Sequence, residues 1–147
     1  MVTHPGPVSA RLPLAIAEAI EAQARAESPL EACGLIAGSA QAADGGRALR
    51  YVPCRNASAS PGRYTVHPDD LLRVAIETDD ADEAIWGIVH SHVTSPAVPS
   101  PTDVGLAQYP DALYLLVSLA DEPALRAWRI VDGSTHEVAL EIALEVA

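Results

Sequence analysis

The chain has 147 residues, of which 49% are hydrophobic, and it carries a formal net charge of −11 with only nine Lys and Arg. Such a length is typical of one domain with a real core, and the missing basic runs argue against nucleic acid and against an anionic membrane surface. No apolar run is long enough to span a membrane, the N-terminus is a poor signal peptide, and two cysteines outside any CxxC spacing fit a reducing cytoplasm.

Residues 1–12 contain Pro and Gly without periodicity, and we expect a flexible N-terminal tail there, followed by a single domain over 13–147. Pro13 opens an amphipathic helix, with Leu14, Ile16 and Ile20 at helical spacing, that ends near Ser28. The next stretch, LEACGLIAG (30–38), predicts a short apolar strand.

The middle of the chain alternates between strand and helix signals. RALRYVPC (47–54) predicts a strand, 56–62 a polar turn, and GRYTVH (62–67) a third strand. A helix is expected from Pro68, with its inner face formed by Leu71, Leu72, Ala75 and Ile76. The acidic TDDADEA segment is expected to be a loop, and it leads into AIWGIVH (84–90), which predicts a buried strand.

Beyond this strand, three prolines force a turn, and DVGLAQY (103–109) predicts a short helix. DALYLLVSL (111–119) and ALRAWRIV (124–131) predict two more strands, with Asp132-Gly133 as the following hairpin turn. The final segment, STHEVALEIALEV (134–146), fits strand and helix equally well.

The candidate chemistry lies at the end of the strand that reaches His90. His90 and His92 leave the same face of a strand, and Asp103 follows eleven residues later. Two neutral imidazoles and one carboxylate suit Zn²⁺ and leave the fourth tetrahedral position for water. A His-x-His pair also occurs by chance, and S-P-T-D reads equally as a helix start with Ser100 as N-cap. The two interpretations are compatible.

Glu31 is a carboxylate at the mouth of a core strand. It is either a solvated strand end or a general base that exchanges a proton with water and with a leaving amine. Cys33 shares its face in a regular strand and is best explained as a small buried hydrophobe. The remaining histidines, His4, His67 and His136, are expected at the surface or at helix caps.

Together Glu31, His90, His92, Ser100 and Asp103 resemble the signature of the JAMM (MPN+) zinc metalloproteases: a distant Glu, His-Ser/Thr-His, seven residues, Ser, two residues, Asp. Here VTSPAVP supplies the seven residues and Pro-Thr the two. The resemblance spans most of residues 13–131. It implies an α/β (α+β) fold, with a mixed central β-sheet flanked by helices, of the cytidine-deaminase-like MPN/JAB1 type.

The resemblance also implies residue roles. His90, His92 and Asp103 would bind one zinc ion per chain, with water as the fourth ligand. Glu31 would be the general acid/base, Ser100 would stabilise the oxyanion, and Asn56 would contact substrate in the cleft. Val93 departs from the proline found after the second histidine in many eukaryotic members, which bears on specificity and leaves the ligand set intact.

Among branches, HSHVTSPAVPSPTDV, PDALYLLVS and RIVDG are similar to short bacterial JAMM peptidases that release cysteine from the C-terminus of a ubiquitin-like sulfur-carrier protein. Only ten residues separate His92 from Asp103, so long ubiquitin-binding insertions have no room there. Two alternatives stay open: an isopeptidase that removes ubiquitin-like modifiers from lysines, and a catalytically silent MPN scaffold module. The sequence also leaves a homodimer open.

Overall fold

The structure, a computed structural model, describes residues 7–58, 63–122 and 124–144. Three helices are present, α1 (Leu14–Glu27), α2 (Pro68–Asp80) and α3 (Pro101–Leu106), together with a 3₁₀ turn at Ala42–Asp44. The strands are β1 (Ser9–Pro13), β2 (Cys33–Gly38), β3 (Ala48–Cys54), β4 (Ala84–His92), β5 (Leu113–Ser118), β6 (Leu125–Val131) and β7 (Ser134–Ala143). None of the helices in this described part of the chain is long and apolar enough to cross a membrane.

The strands form one seven-stranded sheet in the order β1-β7-β6-β5-β4-β2-β3. The pairs β1/β7 and β4/β5 are parallel, and the other pairs are antiparallel. The sheet is therefore mixed, and the predicted α/β (α+β) class with a mixed central sheet flanked by helices is confirmed. β4 lies inside the sheet, between β2 and β5, which is why it is buried along most of its length.

Helix α1 covers one side of the sheet because its apolar residues recur at helical spacing. Ile16, Ala17, Ile20 and Ala24 are buried and belong to one core cluster with strand residues such as Trp86 and Leu115. Pro13 is the N-cap and not the first helical residue, so the helix begins at Leu14, one residue later than predicted. A second core cluster contains Cys33, Val74 and Leu116, and it packs against α2. The side chains of the candidate site lie on this second side.

The inner face predicted for α2 is partly wrong. Of the four predicted residues only Leu71 is half-buried: Leu72 and Ile76 are 60% and 52% exposed, and Ala75 is also exposed. The buried positions are Asp70, Val74 and Thr78. The cause is a polar contact from outside the helix: the Asp70 carboxylate accepts hydrogen bonds from the backbone and the guanidinium of Arg55. This contact compensates the carboxylate, so an acidic residue can occupy a buried position of the helix. The helix also runs through Asp80, into the segment expected to be an acidic loop.

Two further expectations differ at the edges of the sheet. Ser9–Pro13, assigned to the tail except for Pro13, form β1, because the long strand β7 offers them a parallel partner. Residues 1–6 of that tail lie outside the described part. The expected strand over 62–67 is not formed in its described part, 63–67, where Arg63 and Val66 are isolated bridge residues and Val66 pairs with Asn56; position 62 lies outside the described residues. The Asn56 side chain takes the amide of Thr65, which a regular ladder would otherwise use.

At the C-terminal end, the ambiguous last element is strand β7. The hairpin turn predicted before it is confirmed, since Asp132 and Gly133 have φ values of 50° and 79°. Positive φ at both central residues is the geometry of the hairpin turn that Asp-Gly favours.

Candidate metal centre

Two elements bring the three predicted ligands together. His90 and His92 are the last alternate residues of β4, and strand geometry directs both side chains to the α2 side of the sheet. Asp103 lies in the first turn of α3, whose start is fixed by a capping box with Ser100. The amide of Asp103 donates to Ser100 Oγ at 3.0 Å, and its carboxylate accepts from the Ser100 amide at 2.8 Å.

The ligand atoms of this cluster lie close enough for one ion. His90 Nε2 is 3.2 Å from Asp103 Oδ1, His92 Nε2 is 3.1 Å from Oδ2, and all three ligand atoms lie within 4.8 Å of one another. Two donors bound at about 2.0–2.1 Å to a tetrahedral ion lie roughly 3.3 Å apart. The spacing therefore fits a tetrahedral metal ion.

His90 shows why the cluster suits a cation. Its side chain is 1% exposed, and neither ring nitrogen makes a hydrogen bond of good geometry with the described residues, although Nε2 lies 3.2 Å from the Asp103 carboxylate. Burial lowers the pKa of His90, which favours the neutral imidazole that a metal requires. A buried ring nitrogen without a partner is costly, and a metal bond would satisfy it.

His92 is oriented through its other nitrogen. Nδ1 lies 2.7 Å from the carbonyl of Pro96, which can only accept, so the Nδ1 proton is donated there. In the neutral ring, Nε2 then presents a lone pair to the Asp103 carboxylate, and two acceptors 3.1 Å apart require a positive charge between them. Burial opposes ionisation of Asp103, yet its contacts with both imidazoles outweigh burial and hold its pKa well below the usual range.

Glu31 lies beside the cluster because of the register between β2 and β4. Cys33 is paired with His90, and the next pair is fixed by the Ala32 amide donating to Ser91 Oγ at 2.8 Å and the Ser91 amide donating to the Ala32 carbonyl at 3.0 Å. Continuing this antiparallel register brings Glu31 opposite His92, on the histidine side of the sheet. Glu31 is buried in the structure, at 6% exposure.

The surroundings of Glu31 offer little positive charge to stabilise its ionised carboxylate. Burial raises its pKa to about 7, an effect that His92 opposes and Asp103 reinforces. A carboxyl group with a pKa near neutrality can both accept and deliver a proton, which is the requirement for a general acid/base. The alternative of a solvated strand end does not fit this burial.

Ser100 has a second capability besides capping. The cap uses its oxygen as an acceptor for the Asp103 amide, and this does not consume the hydroxyl hydrogen. The side chain is partly exposed beside the cluster. It can therefore donate to an oxygen that develops negative charge there.

Asn56 also lies next to Glu31, through a hydrogen bond from its Nδ2 to the Glu31 carbonyl at 2.9 Å. Three contacts escaped the sequence reasoning: Tyr64 stacks on His90 with ring centroids 4.1 Å apart, Ser91 fixes Ala32, and the Pro96 carbonyl orients His92. The position of Ser91 between the two histidines was a usable signal. Nothing local marked Tyr64 or the Pro96 carbonyl.

The other candidate ligands are in different settings. Cys33 is fully buried, and burial raises its pKa to about 12, so its thiol stays protonated as expected of a small hydrophobe. His67 caps α2 by accepting from the Asp69 amide, and His136 is exposed, which confirms the cap and surface assignments. His4 lies outside the described residues.

Comparison with known proteins matches the chain to a protein family and to named relatives. The family described as prokaryotic homologs of the JAB domain matches residues 13–131. The chain is 42% identical over 129 residues to the CysO-cysteine peptidase of Mycobacterium tuberculosis, covering 86% of each chain. It is 31% identical over 119 residues to the desampylase of Haloferax volcanii, covering 80% of this chain and 84% of the relative.

Solved structures agree with the fold. A solution structure from Desulfitobacterium hafniense is 29% identical, with a TM-score of 0.79, and the match covers 92% of this chain and 94% of that one. A JAB1/MPN domain protein from Archaeoglobus fulgidus is 16% identical with a TM-score of 0.56, over 90% of this chain and 98% of that one. At 16% identity, the Archaeoglobus fulgidus protein supports the fold alone.

Proposed function

The chain belongs to the prokaryotic homologs of the JAB domain, and from that premise we propose that it is a zinc-dependent peptidase acting on the C-terminal tail of a ubiquitin-like sulfur-carrier protein. The bond cleaved is the one after the terminal Gly-Gly, and the product released is cysteine. The proposed roles are metal binding by His90, His92 and Asp103, proton transfer by Glu31 and oxyanion stabilisation by Ser100.

One observation carries the catalytic part of this proposal: two buried imidazole nitrogens converge on one carboxylate, with a buried acid on the same side of the sheet. A purely structural role would leave both ring nitrogens of the buried His90 without a hydrogen bond, although Nε2 lies 3.2 Å from Asp103 Oδ1, and such burial is expensive. The donor set of two nitrogens and one oxygen is that of catalytic rather than structural zinc sites.

Bound zinc would supply Lewis acidity and lower the pKa of water towards about 7. Glu31 accepts the proton of the attacking water and returns it to the leaving amine nitrogen. Ser100 donates its hydroxyl hydrogen to the oxygen of the scissile carbonyl as negative charge grows there. The Pro96 carbonyl keeps His92 in the tautomer that the ligand role requires.

The substrate class is supported by the relative that shares 42% identity, whose name is CysO-cysteine peptidase. The buried free thiols Cys33 and Cys54 are consistent with the reducing cytoplasm that we propose as its location.

The direct test is incubation of the zinc-loaded protein with a sulfur carrier that ends in Gly-Gly-Cys, followed by intact-mass analysis. We expect the carrier to lose one cysteine residue, and a chelator and the Glu31→Gln variant to prevent the loss. A carrier that keeps its mass under zinc-loaded conditions contradicts the proposed substrate.

A second candidate is supported by the relative named desampylase, at 31% identity. In that case the leaving amine is a lysine side chain. A parallel reaction with the same carrier joined through its Gly-Gly end to a lysine separates the two: cleavage of this conjugate alone favours the isopeptidase. Failure of both reactions favours a silent scaffold module.

A further inference from the structure

Asn56 has no hydrogen-bonding capacity left for a substrate. Its Nδ2 donates to the carbonyls of Glu31 at 2.9 Å and Arg63 at 3.2 Å. Its Oδ1 accepts from the amides of Ser58 at 2.9 Å and Thr65 at 3.0 Å. An asparagine amide offers two donors and two acceptor sites, and all four are used within the protein.

The partners also fix the orientation of the amide. Both groups facing Nδ2 are carbonyl oxygens, and both groups facing Oδ1 are N–H groups. A flipped amide would oppose oxygen to oxygen and N–H to N–H at four places. The side chain is therefore held in one arrangement.

Two parts of the candidate metal centre depend on these bonds. Glu31 lies two residues before β2 begins, so its carbonyl lies outside the strand ladder and accepts a hydrogen bond from Asn56. Tyr64, which stacks on His90, lies between Arg63 and Thr65, and Asn56 binds the backbone of both. One amide thus links the backbone of the proposed acid to the segment whose ring covers a proposed ligand.

We infer that Asn56 is a positioning residue: it clamps the backbone of Glu31 and the 63–65 segment so that the carboxyl of Glu31 and the ring of Tyr64 keep fixed places around the metal centre. This reverses the expectation that Asn56 binds substrate, and it rests on the proposed function of that centre. The clamp acts on turnover through Glu31, since a misplacement of about 1 Å costs roughly a hundredfold in rate.

Asn56→Asp is the most informative variant because it keeps two of the four hydrogen bonds and removes the other two. The carboxylate keeps both acceptor bonds, to Ser58 and Thr65, and thus the turn that they close. It loses both donor bonds and sets an oxygen against the carbonyls of Glu31 and Arg63. Asn56→Ala removes all four. A role confined to folding the turn predicts near-normal behaviour for the aspartate variant, whereas the clamp predicts that both variants fail alike.

The matched control is Thr65→Ala. It removes the hydrogen bond between the Thr65 and Ser58 hydroxyls, 2.8 Å long, in the same segment, and leaves the backbone amide that Asn56 binds. It therefore reports what loosening this segment does when the clamp is intact.

The first measurement needs no substrate. Amide hydrogen exchange is followed on full-length protein at Ala32, next to Glu31, and at Ala57, whose amide donates to the Thr65 carbonyl at 2.7 Å. We expect exchange at both sites to be about tenfold faster in Asn56→Asp and Asn56→Ala than in wild type or Thr65→Ala, with Val89 in β4 unchanged. Unchanged exchange at Ala32 and Ala57 overturns the clamp, whatever the protein hydrolyses.

The second measurement is steady-state hydrolysis of the Gly-Gly-Cys carrier, with rates normalised to bound zinc. We expect kcat to fall about a hundredfold in both Asn56 variants, with KM within about twofold of wild type. A raised KM with unchanged kcat shows that Asn56 binds substrate and overturns the inference. If wild type does not cleave the carrier, the proposed function fails while the exchange data still decide on the clamp.

Discussion

Two buried carboxylates on the α2 side of the molecule have opposite environments. Asp70 is 7% exposed and Glu31 is 6% exposed. Asp70 accepts hydrogen bonds from Arg55 and lies 3.6 Å from Arg73, and these contacts lower its pKa to about 2. Glu31 has no comparable cation among the described residues, and burial raises its pKa to about 7.

The difference in compensating charge suits one carboxylate to a structural role and the other to proton transfer. A compensated carboxylate such as Asp70 is locked in its charged form and holds an element in place, here α2 against the segment after β3. An uncompensated one can change its protonation state near neutral pH, which is useful for proton transfer and costs stability.

Replacing Glu31 by Gln keeps its shape and removes its ability to transfer a proton. We expect kcat to fall about 10³–10⁴-fold in the carrier assay while zinc content stays at one per chain. The matched control is Glu18→Gln, at an exposed position on α1, which should retain wild-type kcat. Substantial turnover by the zinc-loaded Glu31→Gln protein would assign the base to another residue.

Removing zinc should lower the free energy of unfolding, because the proposed ion binds beside Glu31. The contacts of Asp70 with Arg55 and Arg73 do not involve the ion and should be unaffected. At zinc concentrations a thousandfold above Kd, binding to the folded state alone adds about 4 kcal/mol to the free energy of unfolding. Thermal unfolding with and without zinc measures this gain. In His90→Ala the gain should vanish, whereas Asp70→Asn should keep it. A zinc-independent unfolding midpoint in wild type would rule out a stabilising site.

Ser100 caps α3, and one pair of variants separates this role from its proposed role as an oxyanion donor. Ser100→Ala should lower kcat about 10²-fold or more through loss of an oxyanion donor, and stability by about 1 kcal/mol through loss of the α3 cap. Ser100→Thr keeps the hydroxyl and should retain most of the wild-type kcat and stability. Equal kcat for Ala and Thr variants, measured with carrier substrate, would confine Ser100 to capping.

The smallest expected effect concerns how stability depends on pH in metal-free protein. The contributions of Glu31 and Asp70 to the free energy of unfolding should change with pH in opposite directions. The folded pKa of Glu31 lies above its usual 4.5, so the folded state binds the extra proton between pH 4.5 and about 7. Stability from this group therefore falls as pH rises through that window, and Glu31→Gln should gain on wild type there.

Asp70 behaves in the reverse way. Its folded pKa of about 2 lies below its usual 3.8, so the unfolded state binds the extra proton in that window. Wild type should therefore lose its advantage over Asp70→Asn as pH falls from about 4 towards 2. Urea unfolding across both ranges gives the two slopes, and slopes of the same sign would refute the contrast.

The geometry of the candidate metal centre could be predicted because its signals are local. A two-residue spacing in a strand places His90 and His92 on one face, and the S-P-T-D cap fixes the first turn that carries Asp103. Glu31 stood out as a carboxylate at the mouth of a core strand, but only the family resemblance connected it to the histidines, because no local pattern does so. Its place follows from the pairing of β2 with β4, more than fifty residues apart in the chain.

What escaped prediction depends on partners distant in sequence. β1 forms because residues near position 139 are available to Ser9, and Asp70 can occupy a buried position of α2 because Arg55 compensates its charge. The apolar Leu72 and Ile76 suggested the opposite face. Tyr64 on His90 and the four bonds of Asn56 are likewise contacts for which the sequence has no periodic signal.

Zinc-edge X-ray absorption on the zinc-loaded protein shows whether one divalent ion is bound by two imidazoles and one carboxylate. We expect one zinc per chain with nitrogen and oxygen neighbours only, at about 2.0–2.1 Å. Failure to retain zinc, or a sulfur neighbour at about 2.3 Å that assigns the ion to Cys33 or Cys54, would contradict it.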